Sequence, residues 1–212
     1  MNVLILTNGE YGDYSFCKED RKVKYDYVIC ADRGMKHARR LGMIPQLIVG
    51  DFDSGSEEDL NYFKEQGSVI ERFNPVKDET DTELAIKRAV KKGATSITVY
   101  GGVGTRLDHS LANVHLLYGL LNLGIKGRLM NPYNTVYLIS SEITLEGEES
   151  SLVSLIPFAG DVHGITTKHL AYPLTKATLK IGTSLGVSNY MTEKTAKVSV
   201  ESGVLIVIRA RD

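Results

Sequence analysis

Tyr27-Val28-Ile29-Cys30-Ala31-Asp32-Arg33-Gly34-Met35-Lys36-His37-Ala38-Arg39-Arg40-Leu41-Gly42 runs on into Met43-Ile44-Pro45-Gln46-Leu47-Ile48-Val49-Gly50-Asp51, and this stretch decides the fold class. It holds an apolar run (Tyr27–Ala31), a helical pattern (Gly34–Leu41) and a second apolar run (Leu47–Gly50). Apolar runs without alternation mark strands covered on both faces, and a helix between two of them marks a parallel pair. The same alternation continues outward. Val3–Leu6 precedes the stretch, and Glu57–Gln66, Val69–Phe73, Thr80–Lys92, Ile97–Tyr100 and Leu111–Leu123 follow it as helix, strand, helix, strand and helix. Gly42, Gly67, Gly93 and Gly124 each stand just past a helical pattern, where a left-handed residue closes the helix. The expected architecture is α/β: a Rossmann-like parallel sheet with helices on both faces.

Beyond about Asn131 the pattern changes. Thr135–Ile139, Leu152–Ile156, Ala177–Ile181, Lys197–Val200 and Val204–Arg209 are short and β-branched or alternating, with Gly, Pro, Ser or Asn between them. They predict a C-terminal all-β sandwich with no helix. The boundary falls within Asn131–Gly147, and we place the domains at 1–138 and 139–212.

The 212 residues are 42% hydrophobic and 24% charged, as in an ordinary globular protein. A formal net charge of -1 gives no general attraction to nucleic acid or to acidic membranes. Two cysteines, Cys17 and Cys30, make no disulfide framework, and Cys30 reads as a buried apolar residue. The N-terminus has no basic, then apolar, leader pattern, and no apolar run approaches the roughly 18 residues of a membrane span. A cytoplasmic protein is expected.

Ligands of open parallel sheets bind beyond the carboxyl ends of the strands. Here those ends carry Asp32; Asp51-Phe52-Asp53-Ser54; Asn74-Pro75-Val76-Lys77-Asp78-Glu79-Thr80-Asp81; and Gly101-Gly102-Val103-Gly104-Thr105-Arg106-Leu107-Asp108-His109. Carboxylates at i and i+2 of an extended chain point the same way, so Asp51 and Asp53 could present hard oxygens to Mg²⁺; alternatively they cap a turn and a helix. Thr80 to Glu83 has the form of a capping box. Asp81, in the first helical turn, either favours the helix dipole or binds metal. Lys77 is either a solvated partner of its acidic neighbours or a phosphate ligand. The glycines before Arg106 leave backbone N–H groups open to a phosphate, and the guanidinium adds a fork of donors. The spacing is neither that of a P-loop nor that of a dinucleotide fingerprint. Asp108 caps the next helix or acts on the ligand, and His109 orients the loop or serves as a base.

Taken together, Gly50–Ser54, Lys77–Glu83, Gly101–Asn113 and Ser184-Leu185-Gly186-Val187-Ser188-Asn189 closely resemble the motifs of thiamine pyrophosphokinases, in the same order along nearly the whole chain. The resemblance implies transfer of the β,γ-pyrophosphoryl group of ATP to the hydroxyethyl oxygen of thiamine. It implies a nucleotide- and Mg²⁺-binding catalytic domain followed by a thiamine-binding and dimerisation domain. Asp51, Asp53 and Asp81 would hold Mg²⁺, with Arg106 and Asp108 at the transferred group. Asp32, Lys77, Thr80, Gly102, Gly104, Arg106, His109 and Asn113 would surround the nucleotide phosphates. Ser188 and Asn189 would contact thiamine, in a homodimer whose sites are shared between subunits. The substrate's proton would pass to Asp81 or Asp108 rather than His109. The chain departs from the family in having no tryptophan to stack on thiamine, and Tyr190 is either its substitute or a filler of the β-domain edge. Only part of a Gly-rich start is present in Asn8-Gly9-Glu10-Tyr11. A pyrophosphokinase for another alcohol such as a pterin is the nearest rival. A phosphatase with an Asp nucleophile would need a second aspartate that Gly160-Asp161-Val162-His163-Gly164-Ile165 lacks. A sensor that binds without turnover is the non-enzymatic alternative.

Overall fold

The computed structural model describes residues 1–53, 57–74, 76 and 78–211, so Lys77 and Ser54 lie outside the described residues. The chain forms two compact units, Met1–Pro132 and Tyr133–Asp212.

The first unit is built on strands β1 (Asn2–Leu6), β2 (Tyr27–Ala31), β3 (Leu47–Gly50), β4 (Val69–Arg72), β5 (Ser96–Tyr100) and β6 (Lys126–Met130). Every pairing among them is parallel, in the order β4-β3-β2-β1-β5-β6. The helices are α1 (Ser15–Glu19), α2 (Gly34–Leu41), α3 (Glu57–Glu65), α4 (Asp81–Lys91) and α5 (Leu107–Asn122). Leu4, Leu6 and Ile48 pack with Met35 and Ala38 of α2 and Leu60 and Phe63 of α3 on one face. The other face is covered by α4, which contacts β1, β2, β3 and α5. The parallel sheet with helices on both sides is therefore as the apolar runs predict. The four glycines past the helices all have positive φ, between 64° and 89°.

In this unit, β6 and α1 escape the sequence pattern. Only Leu129 and Met130 of β6 are fully buried, and its Arg128 disguises the strand. That guanidinium is held at 2.8 Å by the carboxylate of Asp20, which also accepts from Tyr25 and Tyr100. A buried cation is tolerated when it is paired and hydrogen-bonded in this way. The five-residue α1 is too short to show a period.

The strand order fixes where a ligand can enter. From β1 the chain steps outward through β2 and β3 to β4, then crosses back along α4 to β5 on the other side of β1. The carboxyl ends of β1 and β5 thus flank the topological switch point, where neighbouring loops diverge and leave a crevice.

The second unit contains β7 (Asn134–Ile139), β8 (Glu142–Glu146), β9 (Leu152–Lys168), β10 (Ala177–Leu179), β11 (Asn189–Tyr190), β12 (Thr195–Ser199) and β13 (Ser202–Ala210), all paired antiparallel. The long β9 pairs with β13 from Leu152 to Phe158 and again at His163, and with β12 from Thr166 onward, so one strand serves both partners. It turns between them at Ala159 and Gly164, whose φ values are 62° and 68°. The buried side chains of β9, β12 and β13 and Leu145 of β8 form a single apolar core. The units divide after Pro132 rather than after residue 138, because Asn134–Ile139 pairs residue by residue with Leu205–Ala210 of β13.

Candidate active site

A cavity of about 420 Å³ lies at the switch point of the first unit. Its walls come from Asn8–Glu10 after β1, Asp32 after β2, Thr80–Thr82 at the start of α4, the Gly101–Arg106 loop after β5, and His109, Ser110 and Asn113 of α5. Of the residues singled out in the sequence, Asp32, Thr80, Asp81, Gly102, Gly104, Arg106, His109 and Asn113 meet here.

Asp32 bears the marks of a functional group. Its φ of 46° is left-handed, a conformation that costs a non-glycine residue energy and persists where the surroundings impose it. Its N–H donates to the Val49 carbonyl at 2.7 Å, and Gly50 packs so closely that an added Cβ would lie 3.1 Å from Asp32 Cα. Among the described residues its buried Oδ1 has no hydrogen-bond partner. Burial pushes its carboxyl above the usual range, the backbone N–H of Arg33 opposes this, and the charges of Asp81 and Asp51 push it further up. Three carboxylates from three segments therefore share one field.

The Asp51–Asp53 pair is arranged differently from the extended geometry expected. Phe52 has a φ of 59° and turns into the core, and Asp51 Oδ1 accepts the N–H of Asp53 at 3.1 Å. This is a turn rather than a strand continuation, so alternation does not align the two side chains. Asp53 is exposed, and neither residue is among those lining the cavity. Thr80 does cap α4, accepting the N–H of Glu83 at 3.2 Å, an interaction worth about 1 kcal/mol. Glu83 completes no box; it pairs with Lys87 at 2.8 Å. Asp81 sits in the first turn with its acid at the positive end of the helix.

The glycine loop is held from below by α5. Asn113 Nδ2 donates to the Gly102 carbonyl at 2.7 Å, and Ser110 Oγ accepts the Gly104 N–H at 3.0 Å. Asn131 Nδ2 also donates to the Val103 carbonyl at 3.1 Å. Ser110 was not read from the sequence, although its spacing of three from Asn113 puts both on one helix face. Arg106 lies across Asp108, with Nε and Nη2 donating to the two carboxylate oxygens at 3.2 and 2.5 Å. This fork lowers the Asp108 carboxyl to about 2. Asp108 does not cap α5, whose N-cap is Arg106, and it is not among the lining residues.

The loop after β1 closes the opposite wall. Gly9 lies directly on Gly101: a Cβ on Gly9 would come within 2.0 Å of the Gly101 carbonyl oxygen. Gly9→Ala should force the two walls apart and destabilise the unit by about 1–3 kcal/mol, the cost typical of overpacking. Chemical denaturation of both proteins checks this, and an unchanged midpoint would refute it.

In the second unit, Asn189 is buried and its amide makes three hydrogen bonds: Nδ2 donates to the Tyr172 carbonyl at 2.7 Å, while Oδ1 accepts from the N–H of Tyr172 at 3.0 Å and of Tyr190 at 2.9 Å. The rings of Tyr172 and Tyr190 meet edge to face with centroids 6.0 Å apart, and the two residues remain 65% and 39% exposed. Sequence reasoning missed Tyr172 because it lies far from the Ser188–Tyr190 motif along the chain. Ser188 adopts a φ of 63° and donates its N–H to Ser154 Oγ at 3.2 Å.

Comparison with known proteins agrees with both units. Residues 20–128 match the thiamin pyrophosphokinase catalytic domain, and residues 140–205 match the thiamin pyrophosphokinase vitamin B1 binding domain. Thiamine pyrophosphokinase of Bacillus subtilis (strain 168) is 32% identical over 186 residues, which cover 87% of each chain. Thiamine pyrophosphokinase 1 of Oryza sativa is 27% identical, over 82% of this chain and 69% of its own. The crystal structure of the Bacillus subtilis thiamine pyrophosphokinase superposes with a TM-score of 0.88 at 29% identity, covering all of both chains. That of the Geobacillus thermodenitrificans thiamin pyrophosphokinase does so with a TM-score of 0.84 at 27% identity, over 100% of this chain and 98% of its own. With its two halves matched in order and a relative aligned along most of its length, the chain belongs to the thiamine pyrophosphokinase family.

Proposed function

We infer that the switch-point cavity is where this chain carries out the reaction of its family. That reaction transfers the β,γ-pyrophosphoryl group of ATP to the hydroxyethyl oxygen of thiamine and leaves AMP. The observation that carries the assignment is the meeting of Asp32, Asp81 and the Gly101–Arg106 loop in one cavity. Open backbone N–H groups and the Arg106 guanidinium suit the phosphate oxygens, and the positive ends of α4 and α5 add to the potential.

The acidic residues fit a divalent cation. The charges of Asp81 and Asp51 add to the burial that opposes ionisation of Asp32, and among the described residues a buried Asp32 oxygen has no hydrogen-bond partner. Mg²⁺ takes one or two carboxylates and fills its octahedron with water and substrate phosphate. Of the aspartates read from the sequence, Asp81 lies in the cavity and would hold it, with Asp32 facing the same charge, while Asp51 and Asp53 stand outside the lining. When bound, such an ion withdraws charge from the phosphates.

The residues of the chain supply positioning and charge. Arg106, released from Asp108, would follow the negative charge that grows on the transferred group. Either Asp81 or Asp108 would take the thiamine hydroxyl proton. In the second unit the Asn189 amide would hold the backbone of Tyr172 and Tyr190, and their exposed rings, with Ser188, would receive thiamine in place of the missing tryptophan. The working form would be a cytoplasmic homodimer whose sites combine the first unit of one subunit with the second unit of the other.

The test is stoichiometry. Incubated with ATP, Mg²⁺ and thiamine, the protein should form AMP and thiamine diphosphate in equal amounts, followed by chromatography of both nucleotides. ADP as the main product would mean attack at the γ-phosphorus and would overturn the assignment. AMP formed only with a pterin alcohol would favour a different acceptor.

A further inference from the structure

The geometry points to His37 as a positioning residue of the nucleotide site: it sits behind the cavity and fixes the Asn8–Gly12 loop that forms one wall. The inference rests on the reading that this cavity takes ATP.

His37 lies on α2 and is 5% exposed. Its ring stacks flat on Tyr11, with centroids 3.6 Å apart and planes 13° from parallel. Its Nδ1 is 2.7 Å from the hydroxyl of Tyr14. Tyr14 has a left-handed φ of 64°, and its N–H donates to the Tyr11 carbonyl at 2.9 Å. One imidazole thus grips the loop at two points, through a ring face and through a hydroxyl.

The loop transmits this hold to the cavity. The hydroxyl of Tyr11 donates to the Tyr100 carbonyl at 3.0 Å, and the Thr7 N–H and hydroxyl reach that same oxygen at 3.0 and 2.9 Å. Tyr100 is the last residue of β5, immediately before the glycine loop, and Gly9 rests on Gly101. Tyr11 therefore ties the loop after β1 to the end of β5, where the glycine loop begins. Burial, then the charges of Lys36 and Arg40, lower His37 to about 4, opposed by the backbone of Gly9. The ring is neutral at ordinary working pH, so it brings no positive charge of its own beneath the phosphate site.

None of this needs His37 to touch substrate, which sets the test. The affinity for ATP with Mg²⁺ is measured by calorimetry, and kcat and the KM for thiamine by AMP release, on wild type, His37→Ala, His37→Asn and Tyr14→Phe. His37→Ala should weaken ATP binding about tenfold while the KM for thiamine stays within about twofold. His37→Asn, which restores a polar atom near Nδ1 but no ring, should recover part of the loss. Tyr14→Phe keeps the core packing and should show a smaller loss in the same direction, so the inference stays testable if His37→Ala fails to fold. Wild-type ATP affinity in folded His37→Ala, or in Tyr14→Phe where His37→Ala does not fold, would overturn the inference. Equal weakening of ATP and thiamine would also overturn it, because that is the mark of general destabilisation. A wild-type protein that binds no ATP would instead refute the reading of the cavity and remove the basis for a role of His37 there.

Discussion

Asp81→Asn should lower kcat/KM by on the order of 10²–10³-fold, the usual scale for losing one charged group that stabilises a transition state, with little change in thermal unfolding. The substitution keeps side-chain size and leaves the helix start intact, because Thr80 rather than Asp81 caps α4. It removes one of the two negative charges that push Asp32 up and also a carboxylate favoured at the start of α4, and these opposing terms leave a small net effect on stability. The loss belongs to binding and chemistry. Rates measured over a Mg²⁺ titration separate the contributions: a metal ligand should shift the Mg²⁺ dependence to higher concentration, whereas a proton acceptor should lower kcat at saturating Mg²⁺. Asp53 provides the contrast. It is exposed, on a turn outside the cavity wall, and Asp53→Asn should cost less than Asp81→Asn. Near-normal turnover of Asp81→Asn at all Mg²⁺ concentrations would remove Asp81 from the machinery.

The fold was legible where burial is symmetric. β1, β2, β3 and β5 are apolar over most of their length, since helices cover both faces, and composition alone exposes such strands. β6 was not legible, because Arg128 depends on Asp20, more than a hundred residues earlier, and only the folded chain shows the pairing. β8 was missed for a related reason: Glu142-Ile143-Thr144-Leu145-Glu146 buries a single side chain, Leu145. In the site, sequence motifs named the loops correctly and the geometry within them less well. The extended reading of Asp51-Phe52-Asp53 failed at one backbone angle, because Phe52 takes a positive φ to reach the core. Asn113, a support of the glycine loop, lies within the motif read from the sequence, whereas the hold of His37 on the first loop is a tertiary contact between segments whose order in the chain gives no hint of it. The aromatic pair of Tyr172 with Tyr190 is a contact of that kind too, made through the amide of Asn189.

The composite-site proposal predicts that two dead variants will restore each other. Asp81→Asn damages the first unit and Asn189→Ala the second. Asn189→Ala should abolish most thiamine use by freeing the backbone of Tyr172 and Tyr190, whose three hydrogen bonds to the Asn189 amide would be lost together. Each variant alone is then nearly inactive. In a twofold dimer with shared sites, each site takes its first unit from one subunit and its second from the other. A heterodimer of the two variants holds one site with both lesions and one with neither. Random exchange of equal amounts makes about half of the dimers mixed, and half of their sites intact, so activity should return toward roughly a quarter of wild type for independent sites. The measurement is AMP release after subunit exchange, with exchange itself followed by native mass spectrometry of a mass-tagged variant. If each chain instead builds its site alone, every site in the mixture carries a lesion, and activity stays at the level of the separate variants however complete the exchange.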